Sequence, residues 1–196
     1  MIKLNQRLPK ELGIAVSGGV DSMAALDFLS RRHKVTAYFF DHGTPSSLKG
    51  YLAVSNYCER KEIPVVTGTL DRARTDRQSL EQFWRTERYA WLNSFDCKIV
   101  TAHHLDDCVE TWIWGSLNGT PRLPHKSIRN VVRPFLLTTK QELVDWASKQ
   151  CIMYYNDETN TDTSFTRNYI RHELMPHALQ VNPGLRKVIR KRVQGL

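Results

Sequence analysis

The fold is decided by the stretch LGIAVSGGVDS, residues 12–22. Its apolar first half is typical of a buried strand, and the two adjacent glycines predict a sharp turn into a helix near Val20. Such a turn presents backbone N–H groups next to the positive end of a helix, which makes a phosphate or pyrophosphate the natural ligand. A purely structural strand-to-helix turn is the alternative that two glycines alone would favour.

The polar residues of this loop, residues 17–22, favour the phosphate interpretation. Ser17 and Ser22 can donate hydroxyl hydrogen bonds, and Asp21 can hold Mg2+. The loop lacks the Gly-Lys-Ser/Thr ending of a Walker A loop and the third glycine of the dinucleotide fingerprint. It resembles instead the pyrophosphate loop, SGGxDS, of the N-type ATP pyrophosphatases, which cut ATP between its α and β phosphates and adenylate a substrate oxygen. The resemblance implies that ATP contacts Ser17, Gly18, Gly19, Val20, Asp21 and Ser22.

Composition limits the class of protein. The chain has 196 residues, 41% of them hydrophobic, which is enough for one α/β core with a small appendage. Its net charge of +8 suits a polyanion such as RNA, although charge alone fits a generic basic protein equally well. Five cations lie between Arg186 and Arg192, where a solvated helix face is the alternative to a binding site. The cysteines form no C-x-x-C pair and no apolar run reaches transmembrane length, so we expect reduced thiols, a cytoplasmic location and no membrane partner.

Strand-like runs alternate with helical segments, and this pattern indicates an α/β fold with a doubly wound, mainly parallel sheet. In such a sheet the loops after Val16, Phe40 and Ala102 lie along one edge, where ligands bind. The four clear strands cover residues 12–16, 35–40, 63–67 and 98–102.

A fifth strand is predicted over residues 128–136, interrupted by Pro134. After it, the sequence TKQE at 139–142 predicts a capping box at the start of a helix. We expect a five-stranded nucleotide-binding domain in residues 1–150 and a short helical extension in residues 151–196 that contributes to the active site and to RNA contact.

A second constellation is the decapeptide AHHLDDCVET, residues 102–111. If a helix starts within it, Asp107 lies one turn from both His103 and Glu110, so acidic and imidazole groups can converge on one pocket. That pocket can hold Mg2+, bind a cationic substrate or accept a proton. Zinc on the two histidines lacks a third ligand at metal spacing. The structural alternative makes Asp106 an N-cap and the histidines a hydrogen-bonding scaffold.

With this decapeptide the resemblance narrows to a family. It resembles the HHxDDxxET motif of the bacterial tRNA(Ile)-lysidine synthetases, and Asp41-His42-Gly43 resembles their DHG motif. The match runs from about Leu12 to Pro183 and implies a fold like that of the adenine nucleotide alpha hydrolases. Further matching elements are RxxRY at 85–89, RP at 133–134, DxTN at 157–160, RNxxRH at 167–172, the Leu-Met-Pro at 174–176 and the Asn-Pro at 182–183.

The resemblance implies an ATP-dependent ligation of lysine to C2 of the wobble cytidine, C34, of tRNA(Ile) with a CAU anticodon. The cytidine is first adenylated, and the products are lysidine, AMP and pyrophosphate. Implied partners are ATP, Mg2+, this tRNA and free L-lysine in a bacterial cytoplasm, whether the protein is cellular or virus-encoded. The alternatives are another adenylating enzyme of this fold, such as a tRNA thiolase with paired cysteines, and a non-catalytic RNA-binding relative.

The implied roles fall on a few residues. Asp107 and Glu110 would hold the lysine cation and accept its proton, and Asp21 would bind Mg2+, with Asp106 either structural or a second metal ligand. Arg167 and Arg171 would face the phosphates or the base, the alternative being a surface pair on an amphipathic helix. Nucleotide contacts are also implied for Asp41, His42 and His103, although His42 can equally be a packing residue.

The chain departs from the family pattern in three places. Cys108 stands where glutamine is usual, and residues 112–123 do not reproduce the usual RLLRGSG-like run. The sequence ends at Leu196, where typical members continue into domains that hold the tRNA. The resemblance therefore implies a minimal form in which the chemistry is kept and tRNA selection is altered or delegated. Whether two chains pair as a homodimer is left open.

Overall fold

The glycine loop joins the first strand to the first helix in the computed structural model, which describes residues 1–70, 72, 74 and 79–196. The strands are β1 Glu11–Val16, β2 Lys34–Asp41, β3 Val65–Thr69, β4 Ile99–Val100, β5 Ser127–Ile128 and β6 Val131–Val132. The α-helices are α1 Val20–Ser30, α2 Pro45–Arg60, α3 Leu80–Leu92, α4 Leu105–Leu117, α5 Lys140–Lys149, α6 Thr166–Tyr169, α7 Met175–Val181 and α8 Leu185–Gln194. A 3-10 turn covers Glu158–Thr161, and a π-helical turn, Ile170–Leu174, joins α6 to α7.

The strands form one sheet in the order β3-β2-β1-β4-β6-β5. Every pairing is parallel except that of β5 with β6. The predicted α/β fold with a mainly parallel sheet is confirmed. Within the described part of the chain the sheet has six strands instead of the predicted five, because residues 128–136 do not form one strand. The backbone turns at Arg129, which has φ of 55°, so that β5 and β6 fold back on each other as a hairpin.

The main core lies between the sheet and the helices α1, α2 and α5. Helix α1 is buried on almost every side, including Met23, Ala25 and Leu29, because α5 packs on it. The buried surface of α1 is therefore wider than a single apolar stripe and includes the polar side chains of Ser22 and Asp27.

Two smaller clusters complete the packing. Helix α3 contributes Tyr89 and Leu92 to a cluster that includes Tyr38 and Ile99 of the sheet. Helix α4 is covered by residues from the π-helical turn, α7 and α8, such as Ile189. Residues 151–196 thus share an apolar cluster with a helix of the sheet domain, and the predicted domain boundary near residue 150 stays a prediction. Among the described residues, no helix has the length and apolar character needed to span a membrane.

The strand order places a crevice next to the glycine loop. The chain runs outward from β1 to β2 and β3 on one side and then returns to place β4 on the other side of β1. Loops that leave neighbouring strands on the two sides of such a reversal open a crevice at the carboxyl edge of the sheet. The loops after Val16 and Val100 both lie there, and α1 and α4 begin beside them.

Candidate active site

The glycine loop owes its shape to Gly18. This residue has φ of 83°, a conformation that side chains disfavour, and a Cβ atom here would lie 2.4 Å from the Gly50 carbonyl oxygen of α2. Gly19 has an ordinary φ of −75°, and a Cβ on it would meet no atom closer than 3.6 Å. The backbone freedom expected at both glycines is therefore used only at Gly18, and Gly19 leaves open space above the loop.

The serines of the loop have different roles. Ser22 is buried; its Oγ accepts a hydrogen bond from the Ser17 N–H at 3.1 Å and donates one to the Gly19 carbonyl at 2.9 Å. Ser22 therefore fastens the loop, whereas Ser17 is exposed at its surface. Among the residues that the structure describes, no side chain caps the N-terminus of α1, so the N–H groups of its first turn can bind an anion.

Asp21 provides a carboxylate beside these N–H groups. Its Oδ1 is buried and has no hydrogen-bond partner among the described residues. Its Oδ2 lies 3.6 Å from His104 Nε2 and 3.7 Å from Lys140 Nζ. A buried carboxylate oxygen without a partner, next to an anion site, fits Mg2+, which takes one or two carboxylates together with substrate phosphates. In the part of the chain that the structure describes, no group of three or more metal-ligating side chains occurs, which gives no support to zinc.

His104, and not Asp106, is the N-cap of α4. Its Nδ1 accepts a hydrogen bond from the Asp107 N–H at 3.3 Å, and its own N–H donates to Asp107 Oδ2 at 2.8 Å. The proton of the neutral imidazole consequently sits on Nε2, towards Asp21. Burial opposes protonation of His104, but the carboxylates of Asp107, Asp21 and Asp106 outweigh it and raise the pKa above its usual value.

Asp106 ties two further helices to α4. Its Oδ2 accepts a hydrogen bond from the Lys140 N–H at the start of α5, and its Oδ1 accepts one from Arg186 Nε of α8, both at 2.8 Å. Because both oxygens are engaged, the geometry favours the structural role of Asp106 over the Mg2+ ligand that the sequence left open.

Asp107 and Glu110 meet Arg167 and Arg171 in a cluster of two negative and two positive charges. Arg167 contacts Asp107 Oδ1 at 2.6 Å and Glu110 Oε2 at 2.9 Å, and Arg171 Nε contacts Glu110 Oε1 at 2.7 Å. Burial alone would raise the pKa of Asp107, but His104 and Arg167 hold it well below its usual range. For Arg171 burial acts to lower the pKa, but the Glu110 carboxylate outweighs it and raises the pKa above its usual value. Asp107 and Arg171 are therefore both charged at neutral pH.

In the RNxxRH segment, the asparagine and the histidine hold the helix in place so that the two arginines face α4. Asn168 Nδ2 donates to the Thr159 and Asp162 carbonyls at 2.9 Å, and His172 Nε2 lies 2.8 Å from the Asn160 carbonyl oxygen. Asn168 and His172, one turn apart, thus hydrogen-bond to residues 159–162. The two arginines lie on the side of the helix that faces α4. The helix widens into its π-helical turn just before Pro176, which has no N–H to donate to the carbonyl four residues back.

The remaining predicted nucleotide contacts lie at the same edge of the sheet. Asp41 Oδ1 accepts a hydrogen bond from the Gly43 N–H at 2.8 Å. The His42 ring packs against Phe40 and Trp84, with ring centroids 5.2 Å apart in each pair. Burial, helped by the Arg88 charge, lowers the pKa of His42 to about 4, so this ring is neutral. These contacts favour a packing role for His42.

His103 lies between the sheet and the acidic cluster. Its Nδ1 is 2.9 Å from Thr101 Oγ1. Burial lowers the pKa of His103 well below its usual value. The carboxylate of Asp107 raises this pKa in part, whereas the positive charges of Arg133 and Arg167 lower it further. A neutral imidazole at this place can donate or accept a hydrogen bond, but it carries no charge towards a nucleotide.

Sequence reasoning missed three residues of the site. Lys140 brings its ammonium group to Asp21, Gly50 permits the close approach of α2 to the loop, and Arg186 joins α8 to Asp106. A signal existed for two of them: Gly50 is an isolated glycine inside a helical pattern, and Lys140 directly follows the Thr139 cap. Arg186 belongs to the basic run noted in the sequence, but no local pattern pointed to its contact with Asp106.

A cavity of about 480 Å³ adjoins the charged cluster. Its walls combine carboxylates and cations with apolar side chains from α5 and α7. They include Asp106, Glu110, Lys140, Val144, Arg171, Met175, Leu179 and Arg186. One lining residue, Lys140, also contacts Asp21 of the glycine loop.

Comparison with known proteins agrees with the resemblance drawn from the sequence. Residues 2–178 match the PP-loop domain family. The chain is 32% identical over 198 residues to the tRNA(Ile)-lysidine synthase of Thermotoga maritima, a match that covers 92% of this chain and 48% of that protein. It is also 32% identical over 204 residues to the tRNA(Ile)-lysidine synthase of Nitrosomonas europaea, which covers 94% and 44%. The resemblance is confirmed, and the chain spans less than half the length of these curated relatives.

Two solved structures share the fold. The NH3-dependent NAD synthetase of Campylobacter jejuni has a TM-score of 0.51 at 15% identity, covering 96% of this chain and 86% of that one. The NMN synthetase of Francisella tularensis has a TM-score of 0.53 at 12% identity, covering 95% and 87%. At these identities the likeness concerns the fold alone, and it supports the α/β class.

Proposed function

Because this chain belongs to the PP-loop domain family, we propose that it is an ATP pyrophosphatase that modifies tRNA and ligates lysine to C2 of a wobble cytidine. One observation carries the proposal. Asp21 of α1 lies 3.6 Å from His104 at the start of α4, so the glycine loop is next to the helix that carries the acidic cluster. An anion site and buried carboxylates are then adjacent, as adenylation followed by amine transfer requires.

In the first step the cytidine O2 attacks the α-phosphorus of ATP. The new bond joins O2 to phosphorus, and the bond to the β-phosphate oxygen breaks, so pyrophosphate leaves. The N-terminal N–H groups of α1 and the Ser17 hydroxyl would hold the leaving oxygens, and Lys140 adds a positive charge beside them. Asp21 would hold Mg2+, which when bound offsets the negative charge of the phosphates.

In the second step the ε-amine of lysine attacks C2. The bond from C2 to O2 breaks, AMP leaves with that oxygen, and the amine loses a proton. Free lysine has a pKa of about 10.4, so a carboxylate must first hold the ammonium group and then accept a proton. Asp107, whose pKa is low, is suited to holding the cation. Glu110 lines the cavity and is the better placed proton acceptor.

The arginines connect the two steps. In the structure Arg167 and Arg171 neutralise Asp107 and Glu110. Phosphates of ATP offer the guanidinium groups an alternative partner of the kind they bind best. ATP binding would thereby release the carboxylates for the lysine ammonium group, for which the cavity supplies an apolar wall from Val144 and Leu179.

The cysteines do not favour thiolation. Cys58, Cys97 and Cys108 lie against three different apolar clusters, so they do not form the pair that the thiolases in question use. Burial raises the pKa of Cys58 to about 11 and that of Cys108 to about 12, so both remain thiols. The usual glutamine at position 108 is thus replaced by a side chain of the core.

The decisive experiment measures pyrophosphate release from ATP with an unmodified tRNA(Ile) transcript carrying a CAU anticodon. Lysine-dependent formation of AMP supports the proposal, and sulfur-dependent release would assign a thiolase instead. Release of pyrophosphate under neither condition would leave an RNA-binding module.

Asp21→Ala tests the role of the loop within that assay. It should abolish adenylation, because the carboxylate that would hold Mg2+ is lost. Asp96→Ala, an exposed aspartate before β4 at the opposite edge of the sheet, is the matched control and should keep full turnover. Unchanged turnover in Asp21→Ala would remove this residue from the mechanism.

A further inference from the structure

Helix α8 concentrates the positive charge of the chain. Residues 174–196 contain five lysines and arginines and no aspartate or glutamate, whereas the whole chain carries a net +8. More than half of the net charge therefore lies in this segment. All five cations of the segment lie on one ten-residue helix, α8. The cations are Arg186, Lys187, Arg190, Lys191 and Arg192.

The helix faces solvent with its charges and the protein with its apolar side chains. Leu185, Ile189 and Val193 are buried in the cluster around α4. Lys187 and Lys191 are exposed and lie one turn apart on the same side of the helix. The exposed side of α8 therefore carries Lys187, Lys191 and Arg192, and the packing underneath holds it in place.

The burial of the apolar face decides which partner fits. A basic amphipathic helix binds a membrane by inserting its apolar face among the lipids. In α8 that face already packs on α4, so only the charged side can act, and it suits the phosphate backbone of a nucleic acid. The aromatic side chain of Trp112 lies 6.0 Å from the Arg192 guanidinium, which keeps this cation beside α4.

The position of α8 relates this surface to the crevice. Arg186 Nε contacts Asp106 Oδ1 at 2.8 Å, and Asp107 is the next residue of α4. Packed helices lie about 8–10 Å apart, so the axis of α8 runs at about that distance from the axis of the helix that carries Asp107 and Glu110.

We propose that the exposed side of α8 is a docking surface for the sugar–phosphate backbone of the RNA substrate, with Lys187 and Lys191 contacting phosphates. The proposal rests on the proposed function, since it assumes an RNA substrate. It assigns to a helix of this chain a share of the RNA binding. Because the contacts are to phosphates, they add affinity without reading the base sequence.

The test measures RNA affinity over a series of salt concentrations, with a hairpin that carries a CAU loop and a second hairpin of the same length and different loop sequence. The variant is Lys187→Gln/Lys191→Gln. The matched control is Lys10→Gln/Lys98→Gln, which removes the same charge from exposed lysines at the opposite edge of the sheet. The variant should weaken binding of both hairpins equally and lower the slope of log K against log salt by about 2, about one unit for each lost phosphate contact.

Three outcomes separate the hypotheses. If the variant keeps the slope of the control while the wild-type protein binds RNA and turns over, the docking surface is refuted and the proposed function stands. If the wild-type protein binds neither hairpin, both proposals fail. Binding to vesicles of phosphatidylserine that the variant loses, with RNA binding unchanged, would assign α8 to a membrane surface and overturn the proposal.

Discussion

At the scale of single residues, the shape of the glycine loop rests on one backbone position. Gly18 satisfies two requirements at once, a positive φ and contact with the backbone of α2 at Gly50. A residue with a side chain would meet a steric cost at its own backbone and a clash with its neighbour. The loop can therefore present its N–H groups only because this one residue has no Cβ.

Gly18→Ala should destabilise the protein by about 3 kcal/mol, of which about 1 kcal/mol comes from the positive φ and the remainder from overpacking against α2. Gly119→Ala is the matched control, because Gly119 has φ of 69° and a Cβ there would meet no atom within 4 Å. Urea unfolding of both variants gives the two free energies. Equal losses would mean that the contact with Gly50 contributes nothing.

His42 should make the stability depend on pH. Its pKa is about 4 in the folded protein and about 6.5 in the unfolded chain. Between these values the unfolded chain binds more protons, so the free energy of unfolding falls as the pH drops from about 6.5 towards 4. The full effect is about 2 kcal/mol, since one pKa unit is worth about 1.4 kcal/mol and partial exposure screens some of the shift.

The measurement compares wild type with His42→Phe, which keeps an aromatic ring between Phe40 and Trp84 and cannot titrate. Urea unfolding at pH 7 and pH 5 should show a smaller loss of stability in the variant than in wild type. Identical losses in the two proteins would show that His42 is not buried in its neutral form.

At the scale of secondary structure, α4 is the helix on which the others converge. Its N-cap His104 faces the glycine loop, and Asp106 binds the start of α5 and the side of α8. Asp107 and Glu110 bind Arg167 of α6, and Glu110 also binds Arg171 of the π-helical turn. The N-terminus of a helix is partly positive, so it stabilises the carboxylates in the first two turns of α4. This interaction offsets part of the free-energy cost of burying them. The same residues thus cap the helix and build the site.

Arg186→Ala should destabilise the protein by about 1–2 kcal/mol, because Asp106 Oδ1 loses its charged partner while remaining buried. Lys187→Ala, an exposed neighbour on α8, should cost less than about 0.5 kcal/mol. Hydrogen exchange of the α8 amides should quicken in the first variant and not in the second. Similar exchange rates in both would show that the ion pair does not hold α8 to α4.

At the scale of the whole molecule, the crevice exists because the sheet reverses its order between β1 and β4. Two contacts join three distant parts of the sequence: Asp21 lies 3.6 Å from His104 across the reversal, and Arg167 contacts Asp107 of α4 at 2.6 Å. Both proposed chemical steps depend on this meeting, since neither the loop nor the acidic cluster is complete alone.

Glu110→Gln should separate the two steps. The amide keeps the size and one acceptor oxygen but cannot accept a proton, so lysine transfer should fall by about 100-fold or more while adenylation falls by less than about tenfold. Quench-flow measurement of AMP and of the adenylated RNA distinguishes the steps. Glu173→Gln, at an exposed position close to Arg171, is the control and should leave both unchanged. Equal loss of both steps would refute this division of labour.

The sequence by itself determined the features that depend on neighbours along the chain. The glycine loop, the parallel strand pattern and the capping box from Thr139 to Glu142 are local, because dihedral preference, apolar alternation and caps act within a few residues. Predictions from local rules are wrong where two nearby residues can both serve as the N-cap of a helix. The N-cap of α4 is His104 and not Asp106.

Only the tertiary structure decided which groups face each other. Arg167 and Arg171 reach Glu110 from positions 57 and 61 residues further along the chain, and Lys140 reaches Asp21 across the start of α5. The π-helical turn and the order of the strands set these distances, and no pattern along the chain encodes them. Because the energy of a charge depends on what surrounds it once buried, the pairing and ionisation of these side chains follow from packing and not from spacing.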